Sequence, residues 1–357
     1  MMRKVLLSDI CSYVNCKTPV EQIQLVDYVS TENLLQNKGG LSVANKLPSG
    51  KVTVFQAGDV LVSNIRPYFK KIWLADRPGG ASNDVLVFRK LNDNVYEKYL
   101  YYILVDDRFF AFSTASARGS KMPRGDKTQI MNYPVNLPPL DQQKKIANII
   151  GSLDEKIELN RRMNETLEQL GQALFRHFFI NNPDAKNWKK RSLGEFFPVK
   201  TGKKDANFGT KDGKFPFFTC AQTISCAPSY SFDGSAILIA GNGDFNIKYY
   251  TGKFEAYQRT YVLIPHNEEL LGFLYFLMKK DLSLITGGSR GSVIKFITKG
   301  MIENYRVELP DDNDLAAFAP IFSELLALIS HSNEQIQTLA VLRDILLPKL
   351  ISGEIEV

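Results

Sequence analysis

Two clusters of basic residues recur along this chain, and lysine and arginine are the side chains that bind phosphate groups. The clusters comprise Arg118, Lys121, Arg124 and Lys127 in the first half and Arg290, Lys295 and Lys299 in the second. A single cluster of this kind is usually a solvated surface. Its recurrence at equivalent points of both halves favours a function, and phosphate binding indicates a nucleic-acid partner.

Other residues in the same two halves could complete such a surface. Amide and guanidinium groups are flat and can pair with base edges, and several follow the strand-like segments 60–62 and 236–240. Glycine and serine within the clusters indicate a tight turn beside DNA or a structural loop. The further candidates for DNA contact are Asn64, Arg66, Lys70, Lys71, Gly119, Ser120, Lys203, Lys204, Asn242, Asn246, Gly291 and Ser292.

The two halves are copies of one another. Residues 114–138 and 286–310 share eleven of twenty-five residues at a constant offset of 172. Upstream, residues 58–62 match residues 234–238 at an offset of 176. The order of the matching blocks is kept while the loops differ in length, as expected of two copies of one scaffold with specialised loops.

Length and composition fit a soluble protein of about two ordinary domains. The 357 residues are 44% hydrophobic and 23% charged, and no apolar run approaches the roughly 18 residues of a membrane span. Ser8 and Asp9 interrupt the N-terminal apolar stretch, so no secretory signal is expected. The four cysteines have the spacing of neither a zinc site nor a disulfide framework. We therefore expect a cytoplasmic protein with reduced thiols and no bound metal.

Each copy ends in a long helical segment whose apolar residues recur in alternating steps of four and three, the pattern of a coiled-coil seam. The first segment has no proline from Asp141 to Ile180, and adding 172 to its seam positions gives those of the second. Asn160 and Ser332 are predicted to form matching polar layers. The predicted seam contains Ile150, Leu153, Ile157, Leu167, Leu174, Phe322, Leu325, Ile329, Ile336, Leu339 and Leu346.

These helices are too long to lie on one domain each, because forty helical residues extend about 60 Å. Two projecting apolar seams in one chain are most simply buried against each other. Halves related by an approximate twofold axis would then pack the helices antiparallel and form a rigid spacer. The alternative is that each helix lies independently on its own domain.

Charge places a nucleic acid on the domains and not on the helices. Residues 141–180 have no net charge and residues 314–347 carry −3, whereas the whole chain carries +6, so the remainder carries +9. A scaffold whose two domains bind proteins is the rival interpretation, and the basic excess on the domains disfavours it.

These features together resemble the DNA specificity subunit of type I restriction-modification systems, over essentially the whole chain. The resemblance is carried by Leu-Pro-Pro-Leu-Asp-Gln-Gln-Lys-Lys-Ile-Ala at 137–147, by the preceding 132–135, by 58–62 and by the C-terminal 347–355. The second junction, residues 309–314, departs from the pattern because it lacks the second proline and the Gln-Gln-Lys-Lys run.

The resemblance implies that each domain recognises one half of a bipartite double-stranded DNA target, while the helices fix the gap between the halves. Since the loops of the two copies differ, the target should be asymmetric. It also implies two docked methyltransferase subunits, and restriction subunits that translocate and cleave DNA. S-adenosylmethionine, ATP and Mg are then expected on these partners and no cofactor on this chain. The residues expected at the partner interface are Leu137, Pro138, Pro139, Gln142, Gln143 and Ile146.

Catalytic motifs find little support in this sequence. Pro138 and Pro139 are flanked by leucines and do not form the Asn/Asp-Pro-Pro motif with which adenine methyltransferases hold a flipped base. Residues 287–291 fit Gly-x-Ser-x-Gly, but the matching residues 115–119 have alanine in place of the serine. No Gly-Lys-Ser/Thr nucleotide-binding loop occurs. The chain is therefore predicted not to be an enzyme.

The predicted fold is mixed α/β: two globular target-recognition domains with twisted β-sheets, separated by two long antiparallel coiled-coil helices, with an internal pseudo-twofold duplication. The expected boundaries are a first domain at 1–139, a first spacer helix at 140–181, a second domain at 182–313, and a second spacer helix with the tail at 314–357. Two alternatives stay open: a coiled-coil scaffold whose domains bind proteins, and the recognition factor of another DNA-modifying defence system.

Overall fold

The computed structural model describes residues 2–289 and 295–357. The strands are β1 (Arg3–Leu6), β2 (Cys11–Tyr13), β3 (Lys17–Pro19), β4 (Tyr28–Val29), β5 (Lys51–Phe55), β6 (Val60–Ser63), β7 (Ile72–Leu74), β8 (Gly79–Ala81), β9 (Val85–Lys90), β10 (Pro134–Leu137), β11 (Lys189–Ser192), β12 (Val199–Thr201), β13 (Phe215–Phe218), β14 (Ser225–Ala227), β15 (Phe232–Ala240), β16 (Ile247–Ala256), β17 (Thr260–Leu263) and β18 (Arg306–Leu309). The helices are α1 (Glu97–Val105), α2 (Asp107–Ala115), α3 (Lys127–Met131), α4 (Leu140–Phe175), α5 (Leu271–Ile285), α6 (Lys299–Glu303) and α7 (Asp312–Ser352). The predicted mixed α/β class is confirmed.

The chain forms two compact units. Unit 1 comprises Met1–Ile157 and Gln337–Val357, and unit 2 comprises Glu158–Ile336. Each unit therefore combines one set of β-sheets with one part of α4 and one part of α7. The domain boundaries proposed from the sequence stay a prediction, since they assign each long helix to a segment of its own.

Unit 1 is built on two four-stranded sheets, with strand orders β2-β9-β6-β7 and β3-β5-β8-β4. All neighbours are antiparallel except β4 and β8, which run parallel. The central strand β6 is buried on both faces: Val60 and Val62 pack on the core formed with α1 and α2, and Leu61 on a second core. Because both faces are apolar, polar side chains can approach this strand only at its ends.

Unit 2 repeats this topology in one six-stranded sheet, β12-β17-β15-β16-β13-β14. Its first four strands have the order of β2-β9-β6-β7, and β13 runs parallel to β16 as β4 does to β8. A two-stranded ladder closes each copy, β1 with β10 and β11 with β18. The duplication predicted from residue identities is thus present in the strand order.

The central strands match at a different offset from the one predicted. Val60 pairs with Phe88 and Ile237 pairs with Leu263, and both Val60 and Ile237 face the core that contains the helices. The structural offset is therefore 177, whereas the sequence match suggested 176. A strand that is apolar on both faces carries no alternation that could fix its register, which explains the one-residue error.

The long helices pack against each other in both units, and in unit 2 they run antiparallel. In unit 2 the Ser332 hydroxyl donates to the carbonyl of Asn160 at 3.2 Å, and further along α4 the ring of Phe175 lies 6.0 Å from that of Phe322. In unit 1 Arg343 pairs with Asp154 at 2.9 Å. Within unit 2, higher residue numbers in α4 thus face lower residue numbers in α7. The residues assigned to the seam are buried or half-buried.

Helix α7 is, in the part of the chain that the structure describes, the one helix whose length and apolar composition could allow it to cross a membrane. Core helices have the same composition. In unit 2, Leu315, Phe322 and Ile329 of α7 are buried in the hydrophobic core that includes α5. Packing within the unit therefore accounts for much of the apolar character of this helix.

Two glycines of α4 give a matched test of this packing. A Cβ at Gly171 would lie 2.2 Å from the buried ring of Phe276, whereas a Cβ at Gly151 would meet its nearest atom, the hydroxyl of Tyr102, at 3.5 Å. We expect Gly171→Ala to lower the free energy of unfolding by about 1–3 kcal/mol through overpacking. Gly151→Ala should raise it by up to about 1 kcal/mol through helix propensity.

Urea unfolding of the full chain, followed by hydrogen exchange of unit 2 peptides, measures both effects. Equal stability of the two variants would contradict the close packing of α4 on α5.

Candidate nucleic-acid interface

A loop follows each central strand, and we call residues 64–71 and 241–246 the post-strand loops. In unit 1 this loop is held by a second segment, residues 117–125, which we call the arm. The amide of Arg66 donates to the carbonyl of Pro123 at 2.8 Å, and the amide of Gly125 donates to the carbonyl of Asn64 at 3.2 Å. The basic cluster on the arm is therefore fixed beside the end of β6.

Unit 2 makes the same bonds at the equivalent positions. Gly243 donates to the carbonyl of Lys295 at 2.9 Å, and Ile297 donates to the carbonyl of Gly241 at 3.0 Å. The described part of the second arm, residues 295–297, thus lies against its post-strand loop as in unit 1. Backbone bonds do not depend on side-chain type, so both copies can keep this frame while their side chains differ.

Arg66 and Gly243 occupy equivalent positions and share a left-handed backbone, with φ of 50° and 75°. Glycine adopts this conformation freely, whereas an arginine there costs about 1 kcal/mol. The side chain of Arg66 turns back onto the arm, where Nη2 donates to the carbonyl of Lys121 at 3.3 Å. Strain at a basic loop residue is typical of a functional site.

The tip of the first arm exposes its charges. Arg118 is 84% exposed and contacts Asp126 at 3.0 Å, and Gly119 beside it has a φ of 98°. Ser120 and Lys121 are exposed as well. Because exposed ion pairs contribute little stability, Arg118 could exchange Asp126 for a phosphate group at small cost.

Acidic side chains orient the other basic residues around this surface. Arg124 contacts Asp84 at 3.1 Å, and Lys38 and Lys70 both contact Asp107 at 2.8 Å. Although burial opposes the effect, hydrogen bonds from the two lysines lower the pKa of Asp107. This carboxylate is therefore ionised and holds two lysines together.

Lys71 and Asn246 point inward. The Lys71 ammonium donates to the carbonyl of Thr31, and burial lowers its pKa. The Asn246 side chain is 7% exposed and donates to the carbonyls of Cys220 and Asp244. Lys71 is half-buried and Asn246 is buried, and backbone carbonyls of their own unit hold both side chains, although both were predicted to contact DNA.

Asn64 is also an interior residue. It is 5% exposed, and its backbone N–H donates to the carbonyl of Asp84 at 2.8 Å. Its side-chain Oδ1 is buried without a hydrogen-bond partner among the described residues. The structure thus places Asn64 at the base of the loop, where it supports the exposed residues.

The basic residues of unit 2 are more dispersed. Lys203 and Lys295 are exposed, and Lys204 lies 4.5 Å from the ring centre of Phe208. Lys299 is exposed and pairs with Glu303 at 3.1 Å, as expected for an i,i+4 pair on α6.

Five predicted positions remain to be placed. Asn242 is half-buried and forms an isolated antiparallel bridge with Phe296 of the second arm, as Ile65 does with Arg124 in unit 1. Arg290, Gly291 and Ser292 lie outside the described residues. Lys127 is exposed at the start of α3, next to Asp126, whose carboxylate caps that helix.

The six residues predicted for the partner interface lie where β10 continues into α4. Gln143 is 1% exposed and its side chain bonds to Tyr96, Asn94 and Pro138. Leu137, Pro138 and Ile146 are buried as well, whereas Pro139 is exposed and Gln142 is half-buried. Burial gives the first four a structural role in joining the helix to unit 1, so only Pro139 and Gln142 are accessible to a partner.

The sequence reasoning missed the acidic residues Asp84, Asp107 and Asp126. A pattern of lysine and arginine residues does not include carboxylates. In the folded chain, however, carboxylates orient these basic side chains. Asp126 had a usable signal, because aspartate directly before a short helical segment is a preferred N-cap. Among the described residues, no group of His, Cys, Asp and Glu is placed to hold a metal ion.

Comparison with known families fits this arrangement. The model of the type I restriction modification DNA specificity domain matches residues 2–169 and again residues 185–339. The two matches cover most of the chain and coincide with its two copies. The chain therefore belongs to the family of type I restriction-modification DNA specificity subunits, which are non-catalytic.

Individual relatives agree with this assignment. The chain is 44% identical over 173 residues to the EcoDI specificity subunit of Escherichia coli, an alignment that covers 47% of this chain and 39% of that protein. It is 22% identical over 377 residues to the MjaIX specificity subunit of Methanocaldococcus jannaschii, covering 93% and 85%. The chain thus matches less than half the length of the first relative and most of the second.

A solved structure shares the fold. The S subunit of a type I restriction-modification system from M. genitalium superimposes with a TM-score of 0.60 at 19% identity, over 98% of this chain and 96% of that chain. At this identity the likeness concerns the fold alone.

The exposed arm gives a direct prediction. Arg118→Ala should remove one phosphate contact, so the slope of log affinity against log salt for DNA should become smaller by about 1, with weakening on all sequences alike. Lys98→Ala is the matched control, because Lys98 lies on α1 and faces Glu155 of α4 at 3.7 Å. Titration of DNA at several salt concentrations measures both; equal slopes for the two variants would remove Arg118 from the interface.

Proposed function

We propose that this chain is the DNA-recognition subunit of a type I restriction-modification complex and that each unit recognises one half of an asymmetric, bipartite target. The observation that carries the proposal is the repeated frame of backbone hydrogen bonds between post-strand loop and arm. Because both units share these backbone hydrogen bonds but carry different side chains, each unit can recognise a different half-site. Arg66 and Gly243, at equivalent positions, illustrate the difference.

The long helices would fix the spacing of the two half-sites. Helix α4 has 36 residues and α7 has 41, which corresponds to lengths of about 54 and 62 Å. One turn of DNA is about 34 Å long, so helices of this length suit half-sites separated by about one turn or more. The antiparallel contacts in unit 2 and the Arg343–Asp154 ion pair in unit 1 support a paired and therefore stiff connection.

Methyltransferase subunits would dock on the outer faces of these helices. In unit 1 the exposed apolar residues Ile149, Val341 and Ile345 lie on α4 and α7. In unit 2 Leu159 and Leu170 of α4 are similarly exposed. Exposed apolar side chains on otherwise polar helix faces favour a protein partner, and helices of a methyltransferase subunit fit such a surface by side-chain packing.

Chemistry then belongs to the partners. Methyltransferase subunits would bind S-adenosylmethionine, and restriction subunits would bind ATP and Mg. This chain supplies sequence recognition, orientation and assembly.

Mapping of methylated bases tests the proposed function. Genomic DNA from cells that express this chain with its methyltransferase is compared with DNA from cells that lack only this chain. We expect a two-part, asymmetric methylated motif that disappears without the chain. If the motif persists, recognition lies in another protein, and a protein-binding scaffold becomes the better interpretation.

The spacing role makes a separate prediction. Insertion of four helical residues after Arg161 of α4 and after Asn333 of α7 lengthens both helices by about 6 Å. The spacer between the two half-sites should grow by one or two base pairs, while the half-site sequences stay the same. The same mapping measures this, and an insertion in α4 alone is the control, because it breaks the pairing. An unchanged spacer after the double insertion would contradict the spacing role.

A further inference from the structure

A second loop in each unit follows the parallel strand, and we call residues 30–42 and 219–224 the parallel-strand loops. Val29 of β4 pairs with Ala81, and Phe218 of β13 pairs with Ala256. The residues two positions further on, Thr31 and Cys220, are half-buried. These loops differ in length and sequence between the two units, as elements of different specificity should.

Equivalent side chains tether these loops. Lys71 and Asn246 occupy the same place, because their carbonyls accept hydrogen bonds from Ser63 and Ala240 at the ends of β6 and β15, each at 3.0 Å. The Lys71 ammonium donates to the carbonyl of Thr31 at 2.5 Å.

In unit 2 the corresponding bond is made by a different side chain. The side-chain amide of Asn246 donates to the backbone carbonyl of Cys220 at 2.8 Å. Two chemically different residues therefore make the same tether. What the two units share is the hydrogen bond to the parallel-strand loop, and not the type of residue that donates it.

Backbone strain marks the tethered loop in unit 1. Among the described residues, the four non-glycine residues with positive φ are Asn37, Lys38, Arg66 and Lys70. All four lie in the parallel-strand loop or the post-strand loop. The amides of Asn37 and Lys38 donate to the carbonyls of Phe69 and Lys70, both at 2.9 Å. Such strain persists only where the surrounding contacts enforce it, and it concentrates at functional sites.

The loops expose groups that can read bases. Asn37 lies at an exposed position in the first loop and Gln222 in the second. Side-chain amides of Asn and Gln pair with the edge of adenine in the major groove. Each loop is connected through its tether to the post-strand loop, and through that loop to the arm.

We propose that Lys71 and Asn246 are positioning residues that hold the parallel-strand loops in place, and that these loops, with Asn37 and Gln222 exposed on them, read bases of the two half-sites. This inference rests on the proposed recognition of a bipartite target. It assigns Lys71 and Asn246 to the orientation of a loop and not to contact with DNA.

The duplication supplies the test. Lys71→Met removes the donor but keeps the length of the side chain, and Asn246→Asp replaces the donor by an acceptor. Methylated sites are mapped for the complex containing each variant. We expect Lys71→Met to relax base preference by about tenfold at one half-site only, and Asn246→Asp to do so at the other half-site only.

Two further variants separate orientation from contact. Lys71→Arg keeps a donor and should restore the preference. Asn37→Ala should relax the same half-site as Lys71→Met, and the double variant should be no worse than either single one, because both act through one loop. The salt slope of DNA binding should stay unchanged in Lys71→Met, since no phosphate contact is lost.

Other outcomes overturn the assignment. A salt slope reduced by about 1 with unchanged base preference would make Lys71 a phosphate contact. Equal loss at both half-sites, or no change at either, would show that the tether does not position a reading loop. Absence of any two-part motif with the unaltered chain would instead overturn the proposed function itself.

Discussion

The position of the basic arm depends on the hydrogen bonds that attach it to the end of the central strand. In both units an amide of the post-strand loop donates to the arm, and an amide of the arm donates back, at 2.8–3.2 Å. The central strand is buried on both faces, so polar side chains can approach it only at its end. Because these bonds use only the backbone, the side chains along loop and arm are free to differ between the copies.

That freedom allows one fold to carry two different sets of side chains, as the proposed recognition of two different half-sites requires. The left-handed position in the post-strand loop is Arg66 in unit 1 and Gly243 in unit 2, and the tether to the parallel-strand loop is Lys71 in one and Asn246 in the other. In each case the backbone geometry is kept and the chemistry is changed. Acidic residues of unit 1 then orient its basic side chains, as Asp107 does through its ion pairs with Lys38 and Lys70.

The sequence predicted the architecture well, because its signals were strong. Eleven identities at an offset of 172 marked the duplicated segment, and within it the structure places strands β10 and β18 and the short helices α3 and α6 at that same offset. The four-three periodicity located α4 and α7. Prediction was weaker within the site, since residue type says little about direction: Lys71 and Asn246 turn inward, whereas Arg118 of the same set is exposed.

The sequence by itself determined the class of protein, its duplication and its family, because these follow from periodicity, identity and motif order over long segments. Only the tertiary structure decided the register of the central strands, where Val60 matches Ile237 and not Ala236. The tertiary structure also determined which polar side chains face solvent, which the sequence did not. Both depend on hydrogen bonds between segments far apart in the chain, as between Lys71 and Thr31, and such bonds leave no periodic trace in the sequence.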